Sequence, residues 1–300
     1  LTVLMTTVLM AWLAKWTPRL KFEVESAREL LPLGMQFTSA NLINSIYTEG
    51  RSLVIGKFYS SADLAFFNRG NQFPALIVGN LNTPISNVML PLMAEKKDSQ
   101  NALKAVLRKS MQLSAYLVFP MMGIMAACAR PLVLVLLGEK WVECVPYLQV
   151  ACLFYLFQPL QSMNWQALKA AGQGALCFKL EVIKKAISFI VLIMSIPFGV
   201  FAISLSSAFC GFVSMLINMT PNKKVLGYGI FEQLIDVLKP SIATLFSVVI
   251  ALLLISISNG NLISLIVAPL GSLGYYIVLS KLMNIEGFNL LMDKLSLRQN

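Results

Sequence analysis

There is not one histidine among these 300 residues, and charged residues make up only 13% of them. Without histidine the commonest metal ligand and proton shuttle is gone, and with it any Ser/His/Asp or Cys/His arrangement and the usual zinc sites. The five cysteines (Cys128, Cys144, Cys152, Cys177 and Cys210) form no CxxC pair. Most sit in apolar surroundings, where they read as small hydrophobes within or near helices. No glycine-rich loop precedes a lysine and a hydroxyl, which leaves out a phosphate loop of the nucleotide-binding kind. The acidic residues are scattered, mostly in polar stretches, and none forms a pair placed for general acid–base work. No enzyme, metal or cofactor is expected.

What is there instead is apolar. The hydrophobic share is 57%, and the charged share is half the roughly one quarter that a water-soluble domain carries to keep its surface wet. Runs of about 20 apolar residues, enough to cross ~30 Å of hydrocarbon, recur along the whole length. The fold class expected is all-α, a polytopic helical membrane protein with no soluble domain. Apolar runs and breakers give spans at 1–16, 34–57, 66–91, 111–128, 146–170, 183–199, 200–220, 238–258 and 262–283. An amphipathic connector is expected at 17–33, a short interfacial helix within 94–110, and an amphipathic tail after 284. The first run has neither the basic start nor the cleavage site of a signal peptide, so it is expected to be a truncated helix of a longer protein.

The net charge of +10 does not point to nucleic acid, because the basic residues fall in short clusters between apolar runs. Most lie in alternate connections: Lys15–Arg28, Lys96–Lys109, Lys169–Lys185, Lys223–Lys239 and Lys281–Arg298. The other connections hold only Arg51, Lys57, Arg69, Arg130 and Lys140, and two of them, near 197–200 and 259–261, carry no charge. By the positive-inside rule the basic-rich end and the C-terminus are cytoplasmic.

The spans differ in polarity. Asn41, Asn44, Thr48 and Arg51 fall at i, i+3, i+7 and i+10 on one helical stripe beside Glu49. The next span carries Asn68, Arg69, Asn71, Gln72, Asn80, Asn82 and Asn87, with Pro74 and Pro84 to bend it. The fifth adds Gln158, Gln161, Asn164 and Gln166. Charges at mid-bilayer cost at least ~2.5–3.5 kcal/mol each, so they ordinarily face a wet interior. The candidate substrate-binding residues are therefore Asn41, Asn44, Glu49, Arg51, Asn68, Arg69, Gln161 and Asn164. Each has a plainer reading: snorkelling at a helix end for the charged groups, and hydrogen bonding between helices for the amides. Pro74, Pro84, Pro120 and Pro159 read first as packing kinks, though such kinks are also where transporters flex, and Phe66, Phe67 and Trp141 suit an interfacial belt. The last two spans lack charge until Lys281 and read as lipid-facing.

Particular stretches resemble a family. RPLVLVLLGEKWVECVPYLQ at 130–149 is similar to a segment of Wzx-type bacterial polysaccharide exporters, above all the colanic-acid exporter branch. YSSADLAFFNRGNQFPALIVGNLNTPISNVMLPLMA at 59–94 and SMNWQALKAAGQ at 162–173 resemble their helix pair and a later helix end, in the same order. The resemblance implies the multidrug/oligosaccharidyl-lipid/polysaccharide exporter superfamily, with two six-helix lobes around a central cavity. This chain would then hold the end of helix six (1–16), the connector (17–33), a second-lobe bundle (34–220) and two extra helices with a tail (221–300). Its partners would be a lipid-linked oligosaccharide, membrane lipid and an N-terminal lobe of the same protein. The activity implied is ion-coupled flipping of undecaprenyl-pyrophosphate-linked repeat units, with an apolar groove for the polyprenyl tail. Relatives carry an acid where Arg51 stands and a base just upstream, an order that Glu49 and Arg51 invert. A multidrug or ion antiporter, a lipid II flippase and a membrane glycan polymerase are the alternatives. The first asks for a more apolar cavity with a dedicated carboxylate, and the last for a long outer loop.

Overall fold

The computed structural model describes residues 2–13, 24–96, 99–258 and 260–296. Among them every regular element is helical. Helix α1 is Thr2–Leu13, α2 Val24–Phe58, α3 Ser61–Glu95, α4 Gln100–Ala127 and α5 Ala129–Leu136. A 3-10 turn at Glu139–Cys144 leads into α6 (Val145–Leu156) and α7 (Gln158–Ala170). Then come α8 (Gly174–Ser195), a second 3-10 turn (Ile196–Phe198), α9 (Val200–Met219) and the short α10 (Asn222–Leu226). Two long helices, α11 (Ile230–Ile257) and α12 (Asn261–Leu282), and the amphipathic α13 (Glu286–Ser296) complete the order.

Four helical stretches, Gln100–Ala127, Val200–Leu226, Ile230–Ile257 and Asn261–Leu282, are apolar and long enough to cross a membrane. Helices α2 and α3 reach 35 residues each, about 50 Å at helical rise, but the amides and charges along them lower their hydropathy. These more polar helices build the candidate site described below.

Several boundaries differ from expectation. The fifth span is two helices, broken at Phe157, because Pro159 within the first turn of α7 supplies no backbone N–H to continue α6. Among the described residues of 94–110 no separate interfacial helix forms; Ser99 accepts from Ala102 N at 3.4 Å and starts α4 there. Of the connector expected at 17–33, residues 17–23 lie outside the described residues, and α2 already begins at Val24. Helix α8 starts at Gly174, nine residues before the expected 183, which moves Lys184 and Lys185 from a loop to mid-helix. The basic connection expected to carry both ends at Gln173, and Lys239, expected in the next basic connection, likewise stands inside α11.

Packing follows side-chain size. Gly70 on α3 meets α6 so closely that an added Cβ would lie 2.7 Å from Tyr147 Cβ and 2.8 Å from the backbone nitrogen of Leu148. At the basic-rich end a methionine-lined core (Met93, Met111, Met163, Met215, Met219) joins α3, α4, α7 and α9. Helix α11 packs on both α4 and α12. Its buried Ala243, Thr244, Ser247 and Ala251, and the buried Ser264, Ala268, Ser272 and Ser280 of α12, are small enough for close approach. The remaining surface of these two helices is apolar and exposed (Leu245, Phe246, Val249, Leu253, Ile266, Leu270), as a lipid-facing wall requires. Where α4, α10 and α11 meet, Lys104 pairs with Glu232 at 2.8 Å and Arg108 with Asp236 at 2.5 Å. All five cysteines are buried and free.

Candidate functional site

A polar cavity of about 260 Å³ opens between α2, α6, α7, α8 and α9. Helix α2 gives it Tyr47, Thr48 and Arg51; α8 gives Glu181, Lys184 and Lys185. Residues 181, 184 and 185 are spaced i, i+3 and i+4, so one face of α8 presents all three. Lys184 is the eleventh of 22 residues in that helix, roughly 15 Å from either end. The cluster is therefore deep in the bundle, not at its rim.

The charges are only partly compensated. Glu181 Oε2 lies 2.6 Å from Lys184 Nζ, and Oε1 lies 3.7 Å from Lys185 Nζ. Lys184 also stands over the Trp165 ring at 4.8 Å, and Lys185 over the Tyr47 ring at 4.9 Å. The Arg51 guanidinium donates through an Nη atom to Ser207 Oγ at 2.5 Å and lies 5.2 Å from the Phe67 ring and 5.9 Å from that of Tyr47. Its Nε is buried without an acceptor, and among the described residues no carboxylate pairs with it. Aromatic faces and a hydroxyl steady these cations without neutralising them. Gln161, also on the wall, is tied down by a hydrogen bond from Nε2 to Gly211 O at 3.0 Å.

A second, more open pocket of about 540 Å³ lies on α3 near the basic-poor end. Asn68, Arg69, Asn71 and Gln72 line it with Trp141. Arg69 donates to Gln72 Oε1 at 2.7 Å and covers the Trp141 ring at 5.0 Å, and Phe66 meets that ring edge-on. The Gly138–Trp141 segment thus folds back onto the first turns of α3. From there an exposed stripe of amides and a hydroxyl (Asn68, Gln72, Asn80, Thr83, Asn87), interrupted by exposed Leu76, runs along α3.

The candidate residues are distributed as follows. Arg51 and Gln161 share the first cavity; Asn68 and Arg69 share the second. Glu49 is exposed and lines neither. Asn164 is fully buried away from both, donating to Leu160 O at 2.8 Å and accepting from Asn222 at 2.5 Å. The side chains of Asn41 and Asn44 lie outside the described residues. Sequence reading missed Glu181, Lys184, Lys185 and Ser207. The signal for the first three was the Glu-x-x-Lys-Lys spacing just ahead of an apolar run, obscured by starting that span too late; Ser207, on α9, had none. Among the described residues no group of three or more His, Cys, Asp or Glu could hold a metal ion.

Residues 1–146 match the family described as "Polysaccharide biosynthesis protein". The chain is similar to the teichuronic acid biosynthesis protein TuaB of Bacillus subtilis, 23% identical over 55% of this chain and 34% of that one. It is also similar to the lipopolysaccharide biosynthesis protein WzxC of Escherichia coli, 25% identical over 56% of this chain and 34% of that one. The matched chain thus spans about a third of the length of these relatives. Among solved structures, the lipid II flippase MurJ in an inward closed conformation superposes with a TM-score of 0.72. That match has 15% identity and covers 88% of this chain and 56% of that one. The expected resemblance to Wzx-type polysaccharide proteins is therefore shown, and so is the all-α, multi-pass membrane fold. Glu181, Lys184 and Lys185 lie beyond the residues that the family match covers.

Proposed function

We propose that this relative of the Wzx-type polysaccharide proteins serves a transporter that moves lipid-linked oligosaccharides across the bacterial inner membrane for polysaccharide biosynthesis. The substrates in view are undecaprenyl-pyrophosphate-linked repeat units, with an ion gradient driving the cycle and the C-terminus in the cytoplasm. The observation that carries this reading is the exposed stripe Asn68, Gln72, Asn80, Thr83 and Asn87 on α3. In hydrocarbon each unsatisfied amide costs several kcal/mol, so this face cannot lie against lipid. It suits a hydrated passage, and amides are the hydrogen-bonding partners that a sugar chain needs on its way through.

Two further features support the reading. The cation-rich cavity off the same bundle offers charge-assisted hydrogen bonds to phosphate oxygens. An apolar groove of about 250 Å³ between α4 and α12, lined by Met121, Ile124, Leu265 and Leu270 among others, offers a polyprenyl tail a dry wall. An antiporter for apolar drugs would want the polarity reversed, with a greasy cavity. Family and fold both point to transport rather than catalysis.

The test is export of a polysaccharide by cells that depend on the protein. Replacing Asn80 and Asn87 together by leucine makes the stripe apolar without touching the core. Export is expected to fall at least tenfold at matched protein level. Undiminished export would sink the proposal that α3 lines the route.

A further inference from the structure

At the basic-rich end of the bundle a pocket of about 210 Å³ lies where α4, α11 and the start of α13 meet. Arg108 and Gln112 of α4 line it with Asp236 and Lys239 of α11 and Glu286 of α13. Two cations face two carboxylates there, so the pocket as a whole is neutral. We infer that it binds the headgroup of a phospholipid that carries both a phosphate and a primary ammonium, a phosphatidylethanolamine, with the acyl chains laid along α11.

The polar groups divide into those already engaged and those in reserve. Asp236 is engaged at both oxygens: Oδ1 takes Arg108 at 2.5 Å, and Oδ2 accepts from the Tyr228 hydroxyl at 2.6 Å. Lys239 gives one N–H to Met283 O at 3.2 Å. Its other donors, with the rest of the Arg108 fork, are in reserve. On the acceptor side, Glu286 pairs with no cation among the described residues. Gln112 is only 6% exposed, yet its Oε1 has no donor, which is costly for a buried carbonyl. A bare phosphate would satisfy the cations and leave both acceptors unpaired. A phosphate joined to an N–H-bearing ammonium satisfies all four groups. A choline headgroup has no N–H to offer Glu286 and Gln112, and an anionic lipid adds a charge to a pocket already balanced.

The fold supplies a firm wall and a track for the chains. Gly287 lets α13 press onto α4, since an added Cβ would lie 2.5 Å from Tyr116 Cβ and 3.0 Å from Gln112 O. Ile235, at the edge of the pocket, begins a stripe on α11 that continues through Leu238, Ile242, Leu245 and Val249 at three- and four-residue steps. All but the half-buried Ile242 are exposed. Charged pockets between membrane helices with an apolar face beside them are suited to lipid headgroups. The inference rests on the membrane fold and not on the transport reading.

The test is native mass spectrometry of the purified protein, delipidated in detergent and titrated with dioleoyl phosphatidylethanolamine, phosphatidylcholine or phosphatidylglycerol. The ethanolamine lipid is expected to bind about tenfold more tightly than either of the others. Lys239→Gln should weaken its binding about tenfold, and Glu286→Gln should abolish the preference over the choline lipid. Both side chains are exposed, so neither change disturbs the core. Lys281→Gln, in the last turn of α12 and outside the pocket, should leave all three affinities unchanged. Equal affinities in wild type, a preference kept by Glu286→Gln, undiminished binding in Lys239→Gln, or an equal loss in Lys281→Gln each overturns the site. Glycerophosphoethanolamine, the same headgroup without chains, should compete about a hundredfold less well, because it lacks the buried methylenes. Equal competition would make the ligand a dissolved one and overturn the lipid assignment.

Discussion

Pro120 sits inside α4 and has no N–H for the carbonyl of Tyr116, one turn back. The hydroxyl of Tyr276 on α12 donates to that carbonyl at 3.0 Å, and both tyrosines are buried. A kink read from sequence as ordinary packing is thus also the point where an extra helix is fastened to the bundle. Tyr276→Phe should lower stability by about 1 kcal/mol, in the range of interhelical hydrogen bonds in membranes, read as an earlier thermal transition in detergent. The charged residues give a second test at this scale. If Arg51 contacts phosphate during transport, Arg51→Lys should reduce export less than Arg51→Gln, because lysine keeps charge but loses the fork. A drop on the order of tenfold or more is expected for Gln, as for a charge-assisted hydrogen bond. Wild-type flux in Arg51→Gln at matched expression would remove it from the route. Arg51 stood out in the sequence because a charge in an apolar run is conspicuous. Lys184 and Lys185 did not, since a lysine pair beside an apolar run reads equally well as a loop, and only the start of α8 at Gly174 decides between them.

Element by element, the sequence resolved the helix ends marked by uncharged turns, and misplaced the starts of α8 and α11, where lysines read as loop charges lie inside the helix. The uncharged turns near 197–200 and 259–261 fall between α8 and α9 and between α11 and α12, within a residue or two of expectation. The Phe157 break was not legible, because the run from 146 to 170 stays apolar or amide-bearing across it, and Pro159 could equally have been a kink. Nor was the fold-back at Glu139–Cys144, whose shape depends on Trp141 finding Phe66 and Arg69 on another helix. Close approach between elements was equally hidden. Gly70→Ala would force its Cβ against Tyr147 and the α6 backbone, and backbone cannot swing aside. A loss of about 1–3 kcal/mol is expected, as for overpacking elsewhere, measured by thermal unfolding. The orientation of the elements can be tested with single cysteines at Lys96, Gln173 and Lys224 in a background without the five native ones. All three positions are exposed, at connections rich in Lys and Arg. They should resist an impermeant thiol reagent applied from the periplasm; labelling of all three would invert the proposed topology.

At the scale of the whole molecule, two kinds of surface coexist that need different surroundings. Helices α11 and α12 expose leucine, isoleucine, valine and phenylalanine along their length, which lipid satisfies. Helix α3 exposes Asn68, Gln72, Asn80, Thr83 and Asn87, which lipid does not. On the proposed transport reading, the amide wall calls for a facing set of helices to enclose water between them. The chain covers 56% of the flippase whose fold it shares. Alternating access needs two bodies that rock against each other around a shared site, and a single open wall can neither seal nor alternate. Expressed alone in a strain lacking its own exporter, the 300-residue chain should therefore insert into the membrane yet restore no polysaccharide export. Membrane fractionation checks the first half of that statement and surface polysaccharide the second. Full restoration by this chain alone would mean that the stripe on α3 is closed by its own copies or serves another purpose, and the two-lobed reading would fall.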